Sequence, residues 1–360
     1  MQRLETLDEL LTEQSVEAIW LAQPNSFAWL TGGDNTVVDS AAIGVAAAGY
    51  DGTSVEVVTA NNEADRIRKE VPSEMSVSSF DWYGSSLASA VAERSSTPAA
   101  ADFDVPGLES IDISNCRHPL TDDDIEQYRA LGHETAEVVE SICRTLTSET
   151  TEWEAKAAVQ GAFAERGIKV PVALIGGADR VQRHRHFTST DAPLGEYGIV
   201  TLCTVRNGLC ISITRTVAFD PPAWLTDRQH AAARVQSTAL AATQAVGNRG
   251  GTAGDVFDSI QDAYAAVGYP DEWQLHHQGG AGGYATREWI ATPDSNARVS
   301  LPMGYAWNPT VQGAKSEDTV LVTSDGFEIL TQTGEWPTTT VESVGYDVSH
   351  PQHDILMLSK

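Results

Sequence analysis

Five segments of this chain carry side chains able to do chemistry. Arg183-His184-Arg185-His186-Phe187-Thr188 offers two imidazoles two residues apart. On a strand that spacing puts both on one face, as a metal site requires, although a charged surface strand would look the same. Residues 201–216 read as a hairpin turning at Asn207-Gly208 and ending Ser212-Ile213-Thr214-Arg215-Thr216. His276-His277-Gln278 leads into a glycine-rich run to Gly283-Tyr284, then Arg287-Glu288-Trp289. That run has no following phosphate-loop lysine and reads as a turn where another segment approaches the backbone. Ala306-Trp307-Asn308-Pro309 is the fourth segment, and Lys315-Ser316-Glu317-Asp318-Thr319 the fifth. Imidazoles move protons near neutral pH, carboxylates polarise water, and guanidinium groups hold carboxylates by paired hydrogen bonds.

Some framework has to bring these segments together. The spacing of apolar residues predicts a helix over 1–14, a buried strand over 18–22, a short helix over 24–30 stopped by Gly32-Gly33, apolar runs at 43–48 and 55–59, and helices over 62–71 and 85–94. This alternation describes a small α/β domain over 1–118, with 102–120 as a linker. The remainder, 119–360, reads as α+β. Long helices are expected from Thr121 and from Thr151, the latter ending at Gly167, with further helices at 226–246 and 253–267, ended by Gly247 and Gly268. Strands are expected at 171–175, 182–188, 197–206, 209–219, 274–277, 303–308, 317–323 and 327–331.

The chain has 360 residues and a formal net charge of −27, with 50 acidic against 23 basic side chains. The acids are dispersed, and only five bases are lysine: 69, 156, 169, 315 and 360. Such a surface suits high salt, where screening makes self-repulsion tolerable. It lacks the clustered bases of a nucleic-acid-binding stripe. No apolar run is long enough to span a membrane, and the first residues lack the apolar core of a signal peptide, so a cytoplasmic protein is expected. The four cysteines, 116, 143, 203 and 210, have no C-x-x-C spacing and are expected as reduced thiols.

In their order, the five segments resemble the pita-bread superfamily of aminopeptidase P, prolidase, methionine aminopeptidase and creatinase. Its metallopeptidases show a His-Tyr step, a D-x-G…G-Y-x-x-D-x-T-R-T hairpin, a G-H-G-x-G turn, an E-P step and a final E-D-T. Here His186-Phe187, Gly208…Ile213-Thr214-Arg215-Thr216, His277, Asn308-Pro309 and Glu317-Asp318-Thr319 stand at those places. The N-terminal stretch Ala18-Ile19-Trp20-Leu21…Ala28-Trp29-Leu30-Thr31-Gly32 resembles the small domain preceding that fold in prolidase and creatinase. The resemblance implies a pita-bread domain behind a small α/β domain, a homodimer, and a small molecule or short peptide as substrate.

The departures bear on the chemistry. Those metallopeptidases hold two metal ions with Asp, Asp, His, Glu and Glu. Here the second hairpin Asp is Ser212, the Glu of the E-P step is Asn308, and no acid occurs anywhere between 197 and 219. Two hard ions cannot be held by one carboxylate, one imidazole and neutral oxygens. No cofactor is therefore expected, the alternative being a single divalent ion on His184 or His186 with His277 and Glu317. The resemblance then points to a creatinase-like, metal-free hydrolase of a small polar C–N compound. Its alternatives are an Xaa-Pro aminopeptidase- or dipeptidase-type enzyme with a degenerate metal site, and an inactive binding protein like the histone-chaperone relative of this fold. Thr214 stands where creatinase has the Glu that holds its guanidinium substrate, so creatine itself is not expected. In the leading reading His186 transfers protons, Glu317 polarises water or orients the substrate, and His277 hydrogen-bonds the oxyanion. Arg287 and Arg215 hold a substrate carboxylate, and Glu288, Asn308 and Ser212 line the pocket.

Overall fold

The computed structural model describes residues Gln2–Leu358. The chain divides into two compact units: one runs to Thr121 and takes in Asn207–Leu209, and the other holds Asp122–Arg206 and the chain from Cys210 onward.

The first unit is one six-stranded mixed sheet with helices. Its elements are α1 (Gln2–Gln14), β1 (Ala18–Leu21), α2 (Pro24–Thr31), β2 (Ala46–Tyr50), β3 (Val55–Ala60), α3 (Ala64–Glu70), β4 (Ser76–Phe80), α4 (Leu87–Arg94), β5 (Ala99–Ala101) and β6 (Glu109–Ser110), in sheet order β4-β3-β2-β1-β5-β6. Pro24 opens α2 and Gly32 closes it at φ 72°, a left-handed cap that costs glycine nothing sterically. Trp20, Ala47, Val58, Ala90 and Val91 form one buried cluster of this unit.

The second unit opens with α5 (Asp122–Cys143) and α6 (Glu152–Ala164). Thr151 and Glu154 cap α6 reciprocally, so the T-x-x-E pattern acts as its start signal. Next come β7 (Lys169–Gly177), the short α7 (Ala178–Val181), β8 (Tyr197–Arg206) and β9 (Leu209–Ala218). Asn207 and Gly208 both adopt positive φ, as a two-residue hairpin turn with the twist of its strands demands. The helices α8 (Leu225–Asn248) and α9 (Ala253–Ala266) precede β10 (Gly279–Gly282), β11 (Met303–Trp307), β12 (Thr310–Val311), β13 (Ala314–Lys315), β14 (Asp318–Val322) and β15 (Phe327–Ile329). The chain closes with β16 (Thr338–Glu342), β17 (Ser349–His353) and β18 (Leu356–Met357). Two four-stranded sheets result, β18-β9-β8-β7 and β10-β11-β14-β15.

These sheets are joined where the site lies. Thr214 N donates to Glu317 O at 3.0 Å, Ser212 N to Thr319 Oγ1 at 2.8 Å, and Thr319 Oγ1 to Ser212 O at 2.8 Å. The α5 helix covers the hairpin, its buried Tyr128 hydroxyl donating to Cys210 O.

Three expectations are corrected. Residues 182–188 form no strand: after α7 the chain turns and runs irregularly, held by Arg185 on Glu272 and by buried Phe187 and not by a ladder. Residues 274–277 are not a strand either; Glu272–Leu275 is a 3₁₀ turn and the strand is the glycine run that follows. That run does approach other backbone closely, since a Cβ on Gly279 would lie 2.1 Å from Ala306 O and one on Gly280 2.1 Å from Trp289 O. Gly247 lies inside α8, which continues to Asn248.

Candidate functional site

The site is assembled within the second unit around Glu317, the residue before β14. Its side chain is buried, yet both oxygens are engaged. Arg287 Nη2 donates to Oε1 at 2.9 Å; Oε2 accepts the Thr214 hydroxyl at 2.8 Å and lies 3.1 Å from Lys315 Nζ. Burial alone would push this carboxyl up, but the charges of Lys315 and Arg287 and the Thr214 hydrogen bond outweigh it and hold the group below its usual range. Glu317 is therefore a fixed anion at neutral pH.

Arg287 connects that anion to the hairpin, donating through Nη1 to Ser212 Oγ at 2.9 Å. Alternation along β8 and β9 puts Cys203 against Ser212, 3.2 Å between sulfur and hydroxyl, and Thr201 against Thr214 at 2.9 Å. The hairpin face that would carry metal-holding acids thus consists of a thiol and hydroxyls.

Three imidazoles form the other half. Phe187, buried among Val181, Tyr197 and Ile199, anchors the irregular segment, and Arg185 pairs with Glu272 on the 3₁₀ turn. Together these bring His186 to His276, with their Nε2 atoms 3.1 Å apart. His277 stacks on His276 with ring centroids 4.5 Å apart. Gln278, held by the Tyr264 hydroxyl at 2.8 Å, donates to His276 O and fixes the backbone of the pair. Burial, then Lys315, depresses all three rings, with Arg287 acting ahead of Lys315 at His277. His276 falls to about 2, His277 to about 4, and the exposed His186 also falls. All three are neutral at pH 7. The Nδ1 atoms of His276 and His277 and Nε of Arg287 are buried without a partner, an arrangement that invites a ligand.

The other expected residues are placed as follows. His184 is exposed and stands outside the imidazole cluster. Glu288 accepts from Ala285 N, within its own loop. Asn308 is buried just past β11, its backbone N–H donating to Gln278 O and its Oδ1 unpartnered. Arg215 does not join Arg287. It is sealed in a separate network with Glu140 at 3.2 Å, Asp318 at 3.0 Å, Thr331 O and Thr214 O. His276 and Lys315, which lie in two of the five segments but carried no assigned role, are neighbours of the site. A doubled histidine and the buried-strand context of Lys315 were the available signals.

The residues at the family's ligand positions do not fit two metal ions. Ser212 and Asn308 are neutral, β8 and β9 hold no acid, and the oxygens of Glu317 are already taken. Among the described residues, the imidazoles of His186, His276 and His277 come close enough for one ion, their nitrogens all lying within 4.8 Å of one another.

The two joined sheets make a pita-bread domain, preceded in the chain by the small α/β domain. The solved structures most like it include prolidase from Pyrococcus horikoshii, 16% identical over 92% of this chain and 99% of that one, TM-score 0.74. They also include Xaa-Pro dipeptidase from Bacillus anthracis, 15% identical over 99% of both chains, TM-score 0.75, and dipeptidase PepE from Mycobacterium ulcerans, 17% identical over 99% and 97%, TM-score 0.75. No curated protein matches the sequence significantly. Residues 126–324 match the model of metallopeptidase family M24, and the chain belongs to that family.

Proposed function

We propose that this chain hydrolyses the C–N bond of a short peptide, in the manner of an Xaa-Pro dipeptidase or aminopeptidase whose metal site has been rebuilt. Membership in a peptidase family, with neighbours titled prolidase and Xaa-Pro dipeptidase, supports this reading over the creatinase-like one. The observation that carries it is a solvent-exposed neutral imidazole, His186, that feels the charges of a buried anion, Glu317, and of Lys315, one of the two cations clamping that anion. Peptide hydrolysis needs a base for water, an acid for the leaving nitrogen, and positive charge near the carbonyl oxygen.

In this proposal His186 accepts the proton of water at Nδ1, the nitrogen not facing His276, and returns it to the departing amine. His277 offers a hydrogen bond to the substrate oxygen. Glu317 keeps Arg287 and Lys315 in place rather than acting as a base, since its carboxyl stays ionised. Arg287 reaches toward a substrate carboxylate, and Ser212, Asn308 and Glu288 line the pocket.

The test is a screen of Xaa-Pro dipeptides and other short peptides with chelator-treated protein, followed by His186→Gln. Turnover should fall about 10²–10⁴-fold with the fold retained. Unchanged turnover in that variant would remove His186 from the mechanism, and no cleavage of any peptide would refute the hydrolase reading.

A further inference from the structure

Lys315 is the least expected residue of the site. It closes the two-residue strand β13, paired with Thr310 of β12, and is 4% exposed in a chain with five lysines. A buried ammonium has three N–H bonds to satisfy. Among the described residues its one ion-pair acceptor is Glu317 Oε2 at 3.1 Å. The other oxygen of that carboxylate binds Arg287, so one carboxylate is bridged by two cations. This is the charge arrangement that a carboxylate shared by two metal ions would have. Of the nearby acids, Asp318 pairs with Arg215 and His353, and Glu272 with Arg185. Lys315, Arg287 and Glu317 by themselves sum to one positive charge, and they stand beside three neutral imidazoles. All three feel the ammonium, which lowers the proton affinity of His186, His276 and His277.

We propose that Lys315 is a catalytic electrophile, its ammonium standing where a metal ion stands in a two-metal hydrolase, with Arg287 as the second cation. The proposal rests on the hydrolase reading and says how that reaction is driven. Water oxygen attacks the scissile carbonyl carbon while its proton passes to His186. The carbonyl electron pair moves onto oxygen, and the oxyanion accepts an N–H bond from Lys315. The carbonyl re-forms as the C–N bond breaks, and the leaving nitrogen takes the proton from His186. The products are a carboxylic acid and an amine, and no co-reactant is needed.

If the ammonium occupies the cation position, removing it should open that position to a real metal. Chelator-stripped wild type and Lys315→Met are titrated with Co²⁺, following visible absorption, stoichiometry by equilibrium dialysis, and melting temperature. Wild type should take up no stoichiometric Co²⁺. Lys315→Met should gain one ion per chain, bound by imidazoles and the freed Glu317, with a rise in melting temperature. Because Lys315→Met leaves a buried carboxylate with fewer partners, it is paired with the double variant Lys315→Met/Glu317→Gln, which removes both charges and should fold without gaining Co²⁺. Stoichiometric Co²⁺ on wild type, lost in His276→Gln, would overturn the proposal, because the imidazoles would then hold the cation. Failure of folded Lys315→Met to gain Co²⁺ would overturn it equally. On any peptide the screen identifies, Lys315→Met should lower kcat about 10²–10³-fold with a smaller change in KM, and ethylammonium should restore part of the rate to Lys315→Ala, whose truncation leaves room for it. The cobalt titration needs no substrate, so failure of the peptide screen and failure of this proposal are separable.

Discussion

Glu317 and Asp318 are adjacent in the chain, both buried and both held by an arginine, and they serve two differently built networks. Asp318 faces a closed one. Its oxygens accept from Arg215, the Thr331 hydroxyl at 2.7 Å and His353 Nδ1 at 2.8 Å, while Arg215 also holds Glu140, which Thr333 supports. No nitrogen of Arg215 lacks a partner among the described residues. Glu317 faces an open one, in which Arg287, His276 and His277 retain unpartnered nitrogens and His186 reaches solvent. Successive residues of an extended chain point to opposite sides, so one backbone step separates them. A satisfied buried ion network rigidifies; an unsatisfied one next to solvent is where a ligand is accommodated.

Breaking the closed network should cost most. Arg215→Met strands two buried carboxylates, and unfolding in urea should show a loss of about 3–5 kcal/mol. Arg287→Met should cost clearly less stability, because Lys315 and Thr214 still hold Glu317, while peptide cleavage falls sharply. Equal stability losses for the two variants would erase the distinction between the networks.

Acid should separate the two networks next. His276 and His277 have folded pKa values of about 2 and about 4, below the ordinary 6.5, so the unfolded chain binds more protons and stability declines as pH falls below 6.5. His350, buried elsewhere and pushed down to about 4, adds to this limb. Glu317 and Asp318 are also lowered, from 4.5 and 3.8, so their contribution is complete above about 4.5 and is lost as pH falls below those values, a lower limb that overlaps the foot of the first. Melting temperatures between pH 7 and 3 should show the upper limb first, and His276→Gln/His277→Gln should flatten it. A flat profile down to pH 4 in the wild type would contradict the neutral-imidazole cluster.

Salt should have the smallest effect on the networks and its main effect on the surface. The −27 charge is dispersed, and screening shortens from a Debye length of about 10 Å at 0.1 M to about 3 Å at 1 M. We expect the melting temperature to fall on dialysis from molar to 0.1 M salt, with the stability difference between wild type and Arg215→Met unchanged. A melting temperature indifferent to salt would remove the high-salt reading of the composition.

Much was decided locally. Asn207-Gly208 specifies its hairpin because few other pairs tolerate two positive φ angles, and Thr151 with Glu154 specifies the start of α6 because both side chains cap within one turn. The order of the five segments carried the family, and the absence of acids between 197 and 219 is what argued against two carboxylate-held ions. Other features were invisible to any window of sequence. The segment 182–188 looked like a strand because its His-x-His spacing has period two, yet it is positioned by Arg185 on Glu272 and by buried Phe187. The strand β18 exists by parallel pairing with β9, whose residues lie far back in the chain. Sequence alone could not tell Arg215 from Arg287 as the cation of the site, nor show that His276 and Lys315 belong to it. Residue type and local spacing determine which chemistry is available. Which side chains share a buried anion depends on contacts between strands distant in sequence, and those form only when the two sheets close on each other.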